Sequence, residues 1–233
     1  MMLPPSLKDR STPRAILFLG APGSGKGTQS AWLSGQLGMP CLSTGDALRT
    51  AARRNTPGGV QLRRTLAAGA LVGDDTVCEV VGERLRRDAP QRGLILDGFP
   101  RTVKQAVYLD SLLRELGLPQ PMVIYLQVSE TGLLHRLAAR RHCAACGAVY
   151  NLISRPSSRG PRCEKDGGLL IERDDDREEV ILRRLAQFEA DSAPLIDYYR
   201  NGDFHRLDGD QDLAVVAAQL MRIAAREELC AAA

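Results

Sequence analysis

The chain of 233 residues is long enough for one substantial core and a small appended module. Its composition, 44% hydrophobic and 25% charged, is that of a globular protein, and a formal charge of +3 is too small to imply a nucleic-acid or membrane partner. No apolar stretch reaches bilayer-spanning length. The first thirteen residues carry prolines and scattered charges without an apolar core segment, so they read as a flexible leader, not a secretory signal. Of six cysteines, Cys143, Cys146 and Cys163 cluster while Cys41, Cys78 and Cys230 stand alone. That distribution suits a metal site in a reducing, cytoplasmic compartment better than a disulfide framework.

In chain order, the apolar run Ala15–Leu19 leads into Gly20-Ala21-Pro22-Gly23-Ser24-Gly25-Lys26-Gly27-Thr28. A buried strand that ends in a glycine-rich turn and opens a helix, here about Lys26 to Leu37, is a phosphate-binding unit. Glycines let the backbone curl so that its N–H groups point at an anion, the helix adds its positive end, and Lys26 supplies a full charge. The general pattern places Ser or Thr directly after the Lys; here Gly27 intervenes before Thr28. Further strands are predicted near Pro40–Ser43 and at Leu94–Leu96, Met122–Val128 and Phe204–Leu207. Alternation with helical patterns predicts a parallel sheet covered on both faces. A helical excursion from Gly45 to Leu66 reads as broken at Pro57-Gly58-Gly59. Helices are also predicted at Glu178–Tyr199, capped by Asp174–Asp176, and at Asp212–Glu228.

Asp97 ends a buried strand beside the phosphate loop, where a carboxylate commonly holds Mg²⁺ or its water shell. Gly98 and Pro100 would fix the turn that aims Arg101 inward, and Gln105, one helical turn on, could pair with an adenine edge. Arg136 and Arg140 are four apart on a predicted helix, hence on one face, and Arg173 and Arg184 flank the exit of a second excursion. Arginine pairs such as Arg53–Arg54, Arg63–Arg64 and Arg86–Arg87 read as solvated faces. Arg49, Arg101, Arg136, Arg140, Arg173 and Arg184 gain a functional reading only as a set, since bringing two polyphosphates together demands several cations where they meet.

The second excursion, rich in Arg, Gly, Pro and Cys, has the spacing Cys143-x2-Cys146, sixteen residues, then Cys163-x2-Asp166. This is two-knuckle zinc-ribbon spacing with a carboxylate as the fourth ligand; His142 is the alternative fourth ligand, with awkward geometry beside Cys143. Four protein ligands leave no open position, so the zinc would be structural and would stand in for an apolar core.

With Ser43-Thr44-Gly45-Asp46-Ala47-Leu48-Arg49, Gly69-Ala70-Leu71-Val72, Arg173-Asp174-Asp175-Asp176 and Ala193 to Tyr199 added in order, the chain resembles an adenylate kinase of the long-lid bacterial type. The resemblance covers residues 15 to about 220, and that family's phosphate loop also carries Gly between Lys and Thr. It implies an α/β P-loop nucleoside monophosphate kinase fold, with a five-stranded parallel sheet flanked by helices, a small helical insertion for the acceptor nucleotide and a zinc-ribbon-like lid. The implied division is a leader at 1–13, a core at 14–42, 73–138 and 177–233, an acceptor insertion at 43–72 and a lid at 139–176.

Carried over by position, the resemblance implies that Gly23, Ser24, Gly25, Lys26, Gly27 and Thr28 bind ATP phosphates. Thr44, Arg49, Ala70, Leu71, Val72, Gly98, Phe99, Pro100, Arg101 and Gln105 would bind AMP. Arg140, Val149, Tyr150, Arg173 and Arg184 would complete the ATP and transfer site, Arg173 and Arg184 reaching the acceptor as well. Arg136 would lie against the ATP base and Gln211 would offer its carbonyl to it. Lys26, Asp97, Arg101, Arg140, Arg173 and Arg184 would carry the Mg²⁺-dependent conversion of ATP and AMP into two ADP. Still open are another monophosphate acceptor, GTP as donor, and a phosphate-loop switch whose ribbon binds RNA, for which Tyr150 is the one stacking aromatic in the ribbon. No exposed apolar helix face is evident, so a monomer is expected.

Overall fold

The computed structural model describes residues 14–53, 55–68, 70, 72–88 and 93–230, with the side chains of Asp88, Asp174 and residues 226–230 left aside. The elements run β1 (Ala15–Leu19), α1 (Lys26–Leu37), β2 (Cys41–Ser43), α2 (Thr44–Ala52), α3 (Pro57–Ala67), α4 (Asp74–Asp88), β3 (Leu94–Asp97) and α5 (Val103–Glu115). Then come β4 (Met122–Gln127), α6 (Glu130–Ala138), β5 (Arg140–Cys143), β6 (Val149–Asn151), β7 (Leu170–Ile171), α7 (Glu178–Tyr199), β8 (Phe204–Asp208) and α8 (Leu213–Cys230). A 3₁₀ turn at Asp174–Asp176 precedes α7.

Five strands form a parallel sheet in the order β2-β3-β1-β4-β8, bearing out the expected architecture. Side chains alternate across a strand, so β1 feeds two cores. Ala15, Leu17 and Leu19 join Leu94, Leu96 and Val123 beneath α4, α5 and α7. Ile16 and Phe18 join Ile95, Met122 and Ile124 against Leu33 of α1 and Val216 and Leu220 of α8. Both faces are covered, which is why these strands read as unbroken apolar runs. From β1 the chain first builds the β2–β3 side and later the β4–β8 side, so a crevice opens above the carboxyl ends of β1 and β3, the place where such sheets bind ligands.

A second, antiparallel sheet, β6-β5-β7, carries the cysteines. Its buried cluster is small: Cys143, Tyr150 and Cys163, with Ala148 and Leu170 packed against them.

Three local expectations change. Pro57-Gly58-Gly59 is not a break but the first turn of α3. Thr56 caps the helix by accepting from Gly59 N at 3.1 Å, and Pro at the first position gives up an N–H that has no intrahelical partner anyway. Asp174–Asp176 do not cap α7, whose N-cap is Arg177 without a side-chain cap bond; Asp175 and Asp176 face arginines instead. Arg136 and Arg140 do not share a helix face, because α6 ends at Ala138 and Arg140 opens β5. The leader lies outside the described residues.

Candidate functional site: a cationic cleft above the phosphate loop

The loop after β1 folds as its glycines allow. Gly25 precedes α1 with φ 93°, and Gly20 has φ 143° with Leu126 O only 2.6 Å from where a Cβ would stand. Both positions therefore exclude side chains that would straighten or lift the loop. The first N–H groups of α1 have no intrahelical acceptor, and Lys26 of that first turn lines the cleft, which brings the positive end of the helix dipole to it. Ser24 is buried, with its Oγ lacking a partner among the described residues.

Lys26 Nζ donates to Ala21 O at 2.9 Å, inside the cleft that Gly20, Pro22, Gly98 and Arg101 also line. Burial lowers its pKa from 10.5 to about 8; Asp97 opposes the shift, and Arg101, Arg184 and Arg140 add to it. Asp97, at the carboxyl end of β3, comes 3.1 Å from where a Cβ on Gly27 would stand, so its carboxylate faces the phosphate loop. Burial raises its pKa, and Lys26 and Arg101 pull the other way.

The arginines come from three elements and two connecting segments. Arg49 of α2 pairs with Asp46 one turn earlier and lines the cleft. Arg101 Nε donates to Gly98 O at 2.9 Å. Arg184 of α7 donates to Asp175 O at 2.9 Å and lies 3.6 Å from Asp176. Arg140 forks onto both oxygens of Asp176, which is only 2% exposed. Burial depresses the pKa of Arg101, of Arg184 and of Arg173, the last to about 10, with Arg49 and Arg140 adding to the shift at Arg173. Arg173 Nε is buried without a partner among the described residues. Guanidiniums packed this closely repel one another, and a polyanion between them removes that repulsion.

Ala70, Val72, Gly98 and Pro100, expected toward the acceptor, line the same cleft; Leu71 lies outside the described residues. Phe99 is fully buried in the core, so its contribution to a ligand is limited to its backbone. Thr44 starts α2 with its Oγ1 buried and unpartnered among the described residues. Gln105 is 2% exposed and already engaged: its Nε2 donates to Asp74 at 2.7 Å and its Oε1 accepts from Arg101 N at 2.8 Å. The sequence singles out Gln105 but not its partner Asp74, which is 31 positions away in the chain.

The residues expected toward the donor base are less gathered. Arg136 donates to Gly209 O at 2.7 Å, which ties α6 to the turn after β8, and Gln211 is exposed with its side chain against Gln219. Val149 is exposed, but Tyr150 is buried, with its hydroxyl 3.3 Å from Cys163 Sγ. The ring of Tyr150 therefore belongs to the small core of the second sheet.

Cys143, Cys146, Cys163 and Asp166 place one ligand atom each within 4.8 Å of one another. The separations are 3.7 Å between the sulfurs of Cys146 and Cys163 and 3.2 Å from Cys143 Sγ to Asp166 Oδ1. A tetrahedral site with metal–sulfur bonds near 2.3 Å has sulfur–sulfur edges of about 3.8 Å, so the group has the size and donor set of a four-ligand metal site. His142 is not part of it. Asp166 is held in place by Gly168 N, which donates to it at 2.9 Å. Among the described residues no helix is long and apolar enough to cross a membrane.

Comparison with known proteins agrees with this geometry. The family model described as adenylate kinase matches residues 18–204. An adenylate kinase of Nitrosococcus oceani is 44% identical over 212 residues, covering 90% of this chain and 97% of its own. One from Syntrophotalea carbinolica is 44% identical, covering 88% and 96%, and one from Archaeoglobus fulgidus is 42% identical, covering 89% and 96%. With a glycine cradle, converging cations and relatives that align nearly end to end, the chain belongs to the adenylate kinase family.

Proposed function

We propose that this protein transfers the terminal phosphoryl group of ATP to AMP, reversibly, giving two ADP. The observation that carries the reading is the convergence of Lys26, Arg49, Arg101 and Arg184 on one cleft above the phosphate loop, with Arg140 and Arg173 beside them. Phosphoryl transfer needs little covalent chemistry from a protein; it needs two polyanions aligned, their charge neutralised and water kept away. In this reading the N–H groups from Gly23 to Thr28 and Lys26 hold the β and γ phosphates of ATP. Thr44, Arg49, the wall from Ala70 to Val72 and Gly98 to Arg101 hold AMP, and Gln105 touches its base. Arg101, Arg140, Arg173 and Arg184 meet the transferring group, where their planar forks match phosphate oxygens. An oxygen of AMP displaces ADP from the γ-phosphorus, that P–O bond breaking as the new one forms.

Asp97 offers a hard oxygen facing the phosphate loop, which fits Mg²⁺ or its water shell arriving with ATP. When bound, that ion neutralises phosphate charge. Residues 43–72 and 139–176 act in this reading as an acceptor flap and a lid that exclude water, with Arg136, Val149 and the backbone at Gln211 toward the donor base. Zinc suits the Cys143–Cys146–Cys163–Asp166 group in donor type and spacing, and with four protein ligands its role is structural. The described cysteines are all free, which accords with a reducing, cytoplasmic setting. We take the protein to be a monomer without a nucleic-acid partner, since the ribbon's Tyr150 is buried and leaves no ring for base stacking.

The test is a coupled assay of ADP formation from ATP with AMP, CMP, UMP or GMP as acceptor. Strong preference for AMP is expected; equal turnover of another acceptor would reassign the substrate, and none with any acceptor would sink the reading.

A further inference from the structure

Asp74 opens α4, where the chain returns from the cleft wall at Val72 to the core. Its two carboxylate oxygens have separate duties. One accepts from Gln105 Nε2 at 2.7 Å, the other from Thr102 Oγ1 at 2.9 Å, and Thr102 caps α5 by accepting from Gln105 N. Gln105 Oε1 meanwhile accepts from Arg101 N at 2.8 Å. The amide thus bridges Asp74, two residues past Val72, and Arg101, and both Val72 and Arg101 line the cleft.

A glutamine amide can turn end for end, exchanging a donor for an acceptor at little cost when nothing holds it. Here both ends are held. A carboxylate oxygen only accepts, so the NH₂ must face Asp74; a backbone N–H only donates, so the oxygen must face Arg101. Each end keeps one unused valence, a second N–H on Nε2 and a second lone pair on Oε1. Their order in space is therefore fixed.

That order matters for a purine. A 6-aminopurine presents a donor at N6 beside an acceptor at N1, whereas a 6-oxopurine presents an acceptor at O6 beside a donor at N1. A pinned amide matches one order and opposes the other; an amide free to turn serves both. We infer that Asp74, by holding the Gln105 amide in one orientation, is a specificity-determining residue that makes the acceptor pocket select 6-amino over 6-oxo purine monophosphates. This rests on the reading above that Gln105 touches the acceptor base. Asp74 acts through Gln105 and is a positioning residue.

The experiment measures kcat and KM for AMP and for inosine monophosphate, at saturating ATP and Mg²⁺, in the parent protein and in Asp74→Ala, Asp74→Leu, Asp74→Asn and Gln105→Ala. The AMP-to-IMP ratio of kcat/KM is taken on one preparation, so it does not depend on how much of that preparation is folded. It is expected to fall about tenfold or more in Asp74→Ala, the loss of one enforced hydrogen-bond match, with the change in the KM for each acceptor. Asp74→Leu fills the site and serves the same purpose if the alanine form is unstable. Asp74→Asn should restore most of the ratio, because its Oδ1 can still accept from Gln105 while its Nδ2 donates to Thr102. A uniform fall for both acceptors, with the ratio within about twofold of the parent, overturns the inference. If Gln105→Ala loses discrimination and Asp74→Ala does not, the inference fails alone; if neither does, the reading that Gln105 touches the base fails with it.

Discussion

The central sheet and the three-stranded sheet of β5, β6 and β7 solve the same problem by different means. β1, β3 and β4 bury nearly every side chain, shared between two apolar clusters on opposite faces. In β5–β7 only Cys143 and Tyr150 are buried, and Leu152, Ile153, Leu169 and Ile171 nearby stand exposed. A segment with so little buried apolar surface cannot offset the entropy of ordering its own chain, and the metal proposed for the Cys143–Cys146–Cys163–Asp166 group would supply a tie of another kind. The difference teaches that one chain joins a sheet held by apolar packing to a sheet whose order depends on a few polar atoms. Arg140, which opens β5, and Arg173, two residues past β7, are placed only as well as that second sheet is ordered.

The largest effect expected from disturbing this arrangement is on turnover. Arg184→Ala, in α7, removes a cation that lines the cleft beside Asp175, and kcat should fall on the order of 10²–10³-fold in the coupled assay. Retention of most turnover would show that charge neutralisation is shared differently. Leu96→Ala opens a hole at a fully buried position of β3 and should cost about 3 kcal/mol, or roughly 10 °C in thermal midpoint, without selective loss in the second sheet. Cys163→Ser tests the second sheet. Amide exchange in 140–171 should speed up by ~100-fold or more while exchange in β1, β3 and β4 changes far less. Equal loosening of both regions would erase the contrast.

The smallest effect is one of pH. Lys26 titrates near 8 in the free protein because burial disfavours its charge. As pH rises through that value the cleft loses a cation, so kcat/KM for ATP should decline above about pH 8; kcat should hold further, since bound phosphates keep Lys26 protonated. The sign for stability is opposite. Between about 8 and the ordinary 10.5 the unfolded chain binds the proton more readily than the folded one, so this group's cost to stability is relieved as pH rises through that window. A kcat/KM profile flat to pH 10 would contradict the placement of Lys26.

Much of this was legible in the sequence, for reasons that differ along the chain. Buried parallel strands are continuous apolar runs, so Ala15–Leu19 and Met122–Gln127 could be bounded to within a residue. The phosphate loop is local, its glycines, Lys26 and Thr28 acting within nine positions. The Pro57 turn misled because proline and glycine together resemble a break, although Thr56 before Pro57 was the available sign of a helix start. Side-chain partners distant in the chain were not readable. Asp74 on Gln105, Asp176 on Arg140 and Tyr150 on Cys163 are set by packing, which no spacing rule encodes.

The most direct test of the whole is Lys26→Met in the coupled assay at saturating ATP and AMP. If converging cations above a glycine cradle carry the transfer, ADP formation should fall on the order of 10³-fold. Turnover within about twofold of the parent protein would contradict it.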